Sequence, residues 1–261
     1  MSNKSLHRLA FGLLKYARTY ERPLTYPEGY SVISSFLNGW FDYKINGKEN
    51  IPKPPFIICA NHASFLDMLV LAAAVYPDRV GYLAKPEFFR YDQIIKKMSK
   101  KLHLENYLGS TLQRAGKIVT DHAKEWGAIK IKQKGLRKTV FQYYINQAKT
   151  KNIGIFPEGH RSTPSRKYKG KIKGILARLT DKQTTETELQ KFQGLAAKLM
   201  TDSGNPVLPI GIKGNYNVMP WFLFTQRKIE VNIGEPIYST EYNNRKKALQ
   251  EIEKRIKNLL L

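Results

Sequence analysis

Short apolar runs that each end in a polar loop constrain the fold of this chain more than any other feature. Residues 56–60 form such a run, and the polar stretch NHASFLD, residues 61–67, leads from it into a second apolar segment at residues 68–75. The first run has the length of a buried strand and the second that of a helix. The sequence therefore predicts a strand-to-helix turn that carries His62 and Asp67.

The spacing of His62 and Asp67 limits how their side chains can meet. Within one regular helix, side chains five residues apart point roughly 140° away from each other. They can meet only if His62 precedes the helix and Asp67 lies in its first turn. A carboxylate that accepts the Nδ1 proton of a histidine fixes the tautomer and leaves Nε2 free to take a proton from an alcohol. The pattern thus indicates a general base.

The same stretch also fits an ordinary helix cap. Ser64-Phe65-Leu66-Asp67 reads as a capping box, in which Ser64 caps the helix and Asp67 reaches back to the Ser64 amide. This interpretation leaves the polar pair Asn61-His62 unexplained, so both interpretations stay open on these residues alone.

Alternation of strand-like and helix-like segments predicts the fold class. Strands are predicted at residues 56–60, 80–84, 127–132, 152–156, 207–212 and 228–233. Helices are predicted at residues 68–75, 139–149 and 194–200 and over the last twenty residues. The order predicts an α/β fold with a mixed, mostly parallel sheet flanked by helices. Pro209 predicts that its strand lies at an edge of the sheet or contains a bulge.

A second polar loop follows the strand predicted at residues 152–156. Its sequence, PEGHRS at residues 157–162, places an acid, a cation and a hydroxyl group together. The carboxyl ends of strands are where an open α/β sheet usually holds its ligand. Arg161 offers the fork geometry that suits a phosphate group.

The charge balance predicts an anionic partner. Lys and Arg number 44 against 21 Asp and Glu, a net charge of +23. Nucleic acid, an anionic lipid surface and an acidic substrate carrier all satisfy this requirement. The single cysteine, Cys59, excludes a disulfide framework and any Cys-based zinc cluster and indicates a reduced compartment. The sequence contains no P-loop and no dinucleotide-binding glycine motif.

The N-terminal segment has amphipathic character. No apolar run approaches the ~20 residues that a membrane-spanning helix requires, and a signal peptide is not predicted. Residues 4–20 show an apolar stripe at helical spacing with basic residues on the opposite side, and residues 32–41 show an apolar, aromatic face. Both segments fit either docking on a membrane surface or ordinary packing on the core. We therefore divide the chain into N-terminal helices at residues 1–42 and an α/β domain at residues 43–261, with an insertion at residues 163–190.

The two polar loops together resemble a known family. Residues 61–67 and 156–162, in this order, closely resemble the motifs of the lysophospholipid acyltransferase family, the 1-acylglycerol-3-phosphate acyltransferases, and the likeness extends from residue 43 to residue 212. The resemblance implies an enzyme that moves a fatty acyl group from acyl-CoA or acyl carrier protein to the hydroxyl of a lysophospholipid. The acceptor most in keeping with the family is 1-acylglycerol-3-phosphate, which would give phosphatidate.

Residue roles follow from the same resemblance. It makes His62 the general base and Asp67 the group that orients it. In the family, the phosphate ligands correspond to Lys85 and Arg161, and Glu158 positions the acceptor. Backbone amides near His62 or Gly159 are candidates for stabilising the oxyanion, and Pro209 is expected to line the acyl groove. No metal ion or cofactor beyond the acyl donor is implied.

Two departures from the family pattern concern the acceptor. His160 stands where the family usually has threonine, and Gln133 where its second motif ends in arginine, although Lys132 or Lys134 can supply that charge. A different lyso-lipid or glycerol-3-phosphate is therefore the alternative acceptor.

The expected partners and location complete the prediction. The partners are an anionic membrane surface, the lysophospholipid and the acyl donor, without nucleic acid, and the location is the cytoplasmic face of a membrane, as a peripheral or monotopic protein. The competing class is a non-catalytic basic module that binds membranes or nucleic acid. Only the net charge of +23 and the fifteen tyrosines favour it.

Overall fold

A seven-stranded sheet with helices on both faces forms the described part of the chain. The computed structural model describes residues 16, 19–64, 66–84, 86–101, 109–131, 137–159, 189, 191–215, 227–242 and 244–261. The strands are β1 (Phe41–Asn46), β2 (Ile57–Ala60), β3 (Val80–Ala84), β4 (Ile129–Lys130), β5 (Asn152–Ile155), β6 (Val207–Lys213) and β7 (Arg227–Ile233). The helices are α1 (Tyr26–Trp40), α2 (Asp67–Ala74), α3 (Tyr91–Lys101), α4 (Gly109–Glu125), α5 (Arg137–Ala148), α6 (Leu195–Ser203) and α7 (Arg245–Leu259).

The sheet topology confirms the predicted fold class. The strand order is β1-β7-β6-β2-β5-β3-β4, and among the described strands only β6 and β7 pair antiparallel. β2 therefore lies between β5 and β6, which places the ends of these three strands side by side. Ligands of open α/β sheets bind at the carboxyl ends of such strands.

Burial on both faces explains the continuous apolar runs in the sequence. In β2, Ile58 and Ala60 join a core cluster with α1 and α2, whereas Ile57 and Cys59 join a second cluster with α5, α6 and α7. Strands covered on both faces are apolar throughout instead of alternating. Burial also raises the pKa of the Cys59 thiol, so this cysteine is a packing residue.

The first strand is absent from the sequence prediction. Helical spacing of apolar residues continues to Phe41, yet α1 ends at Trp40 and Phe41 begins β1. β1 pairs in parallel with β7, with Phe41 opposite Arg227. The partner strand is far away in the sequence, so no local pattern could indicate this boundary.

The apolar face of α1 packs on the core. Ile33 and Leu37 are buried in the cluster beneath the helix, and Phe36 and Trp40 pack against it. This agrees with the packing interpretation of residues 32–41, and docking of this segment on a membrane stays a prediction. Within the described ranges, no helix combines the length and apolar character needed to cross a membrane. Most of the helix predicted at residues 4–20 lies outside these ranges.

Pro209 lies in a central strand, which corrects the prediction of an edge. The alternative of a bulge fits the pairing, because Val207 is opposite Ile237 and Ile210 is opposite Ile233, so the partner segment has one residue more than β6 between these pairs. Pro209 is opposite Cys59 of β2 on one side, and its carbonyl oxygen accepts from the Gly234 amide 2.9 Å away on the other. In an extended strand the nitrogen and oxygen of one residue point to the same side. The missing N–H of Pro209 therefore faces Gly234, one residue before the regular ladder with β7 begins at Ile210 and Ile233, so the ladder between β6 and β2 is intact.

Candidate active site

A side-chain clamp fixes the start of the turn between β2 and α2. Asn61 is 1% exposed, and its amide nitrogen donates to the carbonyl oxygen of Ile212 at 3.0 Å. The Ile212 amide in turn donates to the side-chain oxygen of Asn61 at 2.8 Å. The side chain thus continues the ladder between β2 and β6 by one step. This structural task explains the polar residue at the end of an apolar strand.

His62 and Asp67 meet in the predicted arrangement. His62 precedes α2, Asp67 is its first residue, and the His62 Nδ1 atom is 2.7 Å from Asp67 Oδ2. A carboxylate can only accept, so Nδ1 carries a proton and the neutral imidazole keeps its lone pair on Nε2. The His62 side chain is 20% exposed, and no described residue bonds to Nε2. His62 is therefore arranged as a base whose Nε2 atom is directed outward from the edge of the sheet.

The carboxylate of Asp67 is fully buried and held by several donors. The Ala63 amide donates to Oδ2 at 2.8 Å, and the Ser64 amide donates to both oxygens at 3.0 and 3.1 Å. The Ser64 hydroxyl donates to Oδ1 at 3.2 Å. These bonds satisfy a buried charge that would otherwise destabilise the fold strongly. One of them, the bond from the Ser64 amide, is the contact that the capping-box interpretation predicts. The same carboxylate therefore caps the turn and orients the histidine.

A further donor to Asp67 comes from the end of the neighbouring strand β6. The side-chain amide of Asn215, which follows β6, donates to Asp67 Oδ1. Asn215 is 0% exposed. Sequence reasoning missed this residue. The available signal was weak, namely a polar pair, Gly214-Asn215, directly after an apolar strand at the edge where ligands bind.

The second polar loop joins the first through Glu158. This residue is 3% exposed, and its Oε1 atom accepts from the backbone amide of His62 at 2.8 Å. Gly159 has a φ angle of 70°, and a side chain there would also collide with Gln193. The loop is closed by the Gln193 amide, which donates to the Pro157 carbonyl oxygen at 2.8 Å. The role of Glu158 toward an acceptor stays a prediction.

The amides considered for the oxyanion are already bonded. His62 donates to Glu158, Ala63 and Ser64 donate to Asp67, and the Gly159 amide donates to the Phe156 carbonyl oxygen at 3.1 Å. An oxyanion would need donors that are free to turn toward it. In the described geometry these four amides are committed to holding the two loops.

An aromatic row supports the imidazole ring. The rings of His62 and Phe156 stack with centroids 4.3 Å apart, and Phe156 stacks with Tyr82 at 6.1 Å. The Tyr82 ring lies over Gly154, where any side chain would collide with it. The Tyr82 hydroxyl is buried without a hydrogen-bond partner in the described part of the chain, and burial raises its pKa well above the ordinary value. The sequence analysis did not anticipate this row.

The other predicted site residues are elsewhere or outside the described ranges. Lys85, Arg161, His160, Gln133 and, apart from residue 189, the insertion at residues 163–190 lie outside them, so their roles stay predictions. Pro209 lies on the face of the sheet that packs against α7, near Gly234, and not with His62. Its role in an acyl groove also stays a prediction. Among the described residues, no group of three His, Cys, Asp or Glu side chains could hold a metal ion.

The opposite edge of the sheet carries a cavity of about 710 Å³. Its lining includes Pro55, Arg79, Trp126 and Lys151 at the amino ends of the strands. His62 and Asp67 are not part of this lining. The cavity is therefore separate from the candidate active site.

Comparisons with known proteins identify the family of this chain. A family model described as "Acyltransferase" matches residues 42–213. The chain is 26% identical over 235 residues to the 1-acyl-sn-glycerol-3-phosphate acyltransferase of Saccharomyces cerevisiae, covering 89% of this chain and 62% of that protein. It is 33% identical over 73 residues to the 1-acyl-sn-glycerol-3-phosphate acyltransferase of Bacillus subtilis, covering 28% of this chain and 35% of that protein. The chain thus matches less than two thirds of the length of either relative.

A solved structure shares the fold. The crystal structure of the 1-acyl-sn-glycerophosphate (LPA) acyltransferase, PlsC, from Thermotoga maritima matches with a TM-score of 0.57 and 19% sequence identity. The match covers 89% of this chain and 75% of that chain. The likeness extends to the sheet and its flanking helices.

Proposed function

Because this chain belongs to the acyltransferase family, we propose that it transfers a fatty acyl group from a thioester to the hydroxyl of 1-acylglycerol-3-phosphate. The product is phosphatidate. The acceptor is suggested by the names of the yeast and Bacillus subtilis relatives. The observation that carries the proposal is the 2.7 Å contact between His62 Nδ1 and the buried Asp67 carboxylate, with Nε2 left for an alcohol.

The reaction proceeds by direct attack. His62 Nε2 takes the hydroxyl proton as the acceptor oxygen bonds to the thioester carbonyl carbon. The carbon–sulfur bond then breaks, and the leaving thiolate takes that proton from the imidazolium to form a thiol. General-base assistance of this kind contributes ~10²–10⁴-fold, so positioning of the two substrates supplies much of the remaining acceleration.

Rigid support of the base favours this mechanism. The backbone of His62 is held by Glu158, its Nδ1 atom by Asp67, and its ring face by Phe156. These three contacts, from α2 and from the loop after β5, leave the imidazole little freedom. A base held in one orientation reaches the transition state without losing further entropy. Lys85 and Arg161 are assigned to the acceptor phosphate on the family resemblance.

The protein is proposed to work at the cytoplasmic face of a membrane, as a peripheral or monotopic protein. Its acceptor carries a fatty chain, whereas acyl-CoA or acyl carrier protein arrives from water. The net charge of +23 favours anionic lipid by up to ~1 kcal/mol for each Lys or Arg near the surface. Since the apolar face of α1 packs on the core, apolar docking falls to the segment at residues 4–20.

Acceptor competition tests the function. The full chain is incubated in mixed vesicles with acyl-CoA or acyl carrier protein and equal amounts of 1-acylglycerol-3-phosphate, lysophosphatidylcholine and glycerol-3-phosphate. Mass spectrometry of the lipids is expected to show phosphatidate as the main product. Preferential acylation of either other acceptor assigns the enzyme to that substrate, and transfer to none of them contradicts the proposal.

A further inference from the structure

We propose that Asn215 is a positioning residue for acyl transfer: its side-chain amide fixes the Asp67 carboxylate and sets how strongly that carboxylate holds a proton on His62. The inference rests on the proposed function, because it gives Asn215 a part in the same reaction. Asn215 acts through its bond to Asp67 and does not itself contact the substrates.

The two oxygens of Asp67 divide their partners between two elements. Oδ2 accepts from His62 Nδ1 at 2.7 Å, whereas Oδ1 accepts from the Asn215 amide. The other described donors to this carboxylate, Ala63 and Ser64, belong to the turn that also carries His62. Asn215 is therefore the donor that ties the pair to β6. It stops the carboxylate from rotating together with its own turn.

The side-chain oxygen of Asn215 indicates why the amide has its observed orientation. Its oxygen, Oδ1, is buried and has no hydrogen-bond partner in the described part of the chain. Burying an acceptor without a donor is unfavourable, and native proteins rarely tolerate it. The reversed amide would direct this oxygen at a carboxylate oxygen. The observed orientation thus satisfies Asp67 and leaves Asn215 itself incompletely bonded.

The turn after β6 is built to bring Asn215 back to the site. Gly214 has a φ angle of 80°, a conformation that favours glycine. A side chain at this position would also collide with the carbonyl oxygen of Lys228 in β7. The backbone can therefore pass close under β7 and present Asn215 to Asp67.

An electrostatic consequence follows from this contact. The Asn215 N–H group partly balances the negative charge of Asp67. Without it, more of that charge would act on His62, which favours the imidazolium form and raises the pKa of His62. A larger fraction of the base would then be protonated and inactive at a given pH. The less firmly held carboxylate would also orient the ring less well, which lowers kcat more than it changes KM.

A titration of His62 tests the inference. We compare the full chain with its Asn215→Leu variant, which keeps a similar side-chain volume without hydrogen bonds. NMR of ¹³C-labelled histidine, with the His62 signal assigned by its loss in His62→Ala, gives the pKa. The pKa of His62 is expected to be higher in the variant than in the full chain, and the acidic limb of the kcat profile to move to higher pH.

Asn152→Leu is the matched control. Asn152 is also a buried asparagine, 5% exposed, but lies at the opposite edge of the sheet and does not contact Asp67. It should leave the pKa of His62 unchanged. An unchanged His62 pKa in folded Asn215→Leu, or an equal shift in the control, overturns the inference. If Asn215→Leu does not fold, Asn215→Ala takes its place, and unfolding of both while Asn152→Leu folds makes the role of Asn215 structural.

The titration separates this inference from the proposed function. It reads the ionisation of His62 and requires no turnover. A wild-type protein that acylates none of the three acceptors refutes the proposed function, while the pKa comparison still decides whether Asn215 controls the His62–Asp67 pair.

Discussion

The two edges of the sheet both use buried asparagines, but for different purposes. At the amino edge, Asn152 accepts from the Phe56 amide at 3.0 Å and donates to the Arg79 carbonyl oxygen at 3.1 Å. Both of its polar atoms are bonded to backbone. At the carboxyl edge, Asn215 donates to the side chain of Asp67, and its oxygen has no partner among the described residues.

The contrast between Asn152 and Asn215 gives a criterion that distinguishes a structural polar residue from a functional one. A side chain that bonds only to backbone and leaves nothing unsatisfied holds segments together. A group that bonds to another side chain and leaves an atom available, as His62 does with Nε2, is arranged for a partner from outside. By this criterion Asn61 belongs with Asn152, although it lies at the carboxyl edge, because both of its polar atoms bond to Ile212.

The largest expected effect separates chemistry from stability. His62→Ala should lower kcat by ~10²–10⁴-fold, because the proton-transfer contribution is lost, with little change in the free energy of unfolding. Thioester cleavage and circular dichroism are measured on the same preparation. Near-native turnover in the folded variant would show that His62 is not the general base and that the carboxyl edge is not the active site.

The reverse result is expected at the amino edge. Asn152→Leu leaves the Phe56 amide and the Arg79 carbonyl oxygen unpaired, and should lower the free energy of unfolding by about 1–3 kcal/mol for each group that stays buried. Urea denaturation measures this loss. The kcat of the folded fraction should stay within about two-fold of wild type, which corresponds to a change of less than about 1 kcal/mol in the activation barrier. A large fall in kcat would show that the edges are not independent.

The smallest effect concerns the Tyr82 hydroxyl, which is buried and, like Asn215 Oδ1, has no hydrogen-bond partner among the described residues. Tyr82→Phe keeps the ring that stacks on Phe156 and removes only the hydroxyl. We expect a change in unfolding free energy within about 1 kcal/mol, in the stabilising direction, and unchanged kcat. Thermal unfolding and thioester turnover check this. A marked loss of activity would show that the hydroxyl belongs with the functional residues at the carboxyl edge, as the criterion of an unbonded atom would then require.

The sequence indicated the parts of the site that are local. His62 and Asp67 are five residues apart, so strand and helix periodicity allowed their contact, and the second loop with the family resemblance favoured it over a simple helix cap. Glu158 was identified from its loop and the family resemblance, but its bond to the His62 amide depends on β5 lying beside β2. The contact from Asn215 depends on β6 lying on the other side. Strand order is a tertiary property that short sequence patterns do not encode.

The errors in the fold have the same origin. β1 continues the helical spacing of α1 and becomes a strand only through pairing with β7. Pro209 is tolerated in a central strand because β7 begins to pair one residue later. In both cases the partner that decides the conformation is distant in the sequence, and a local propensity is overruled by pairing.

The contact between Asn215 and Asp67 joins residues that are 148 positions apart. During synthesis, the turn with His62 is therefore complete long before β6 leaves the ribosome. A nascent chain that ends before residue 207 contains the base but lacks β6, its pairing with β2 and the Asn215 donor. The arrangement of His62, Asp67 and Asn215 is thus assembled only after β6 has been translated, which makes the site a late product of chain growth.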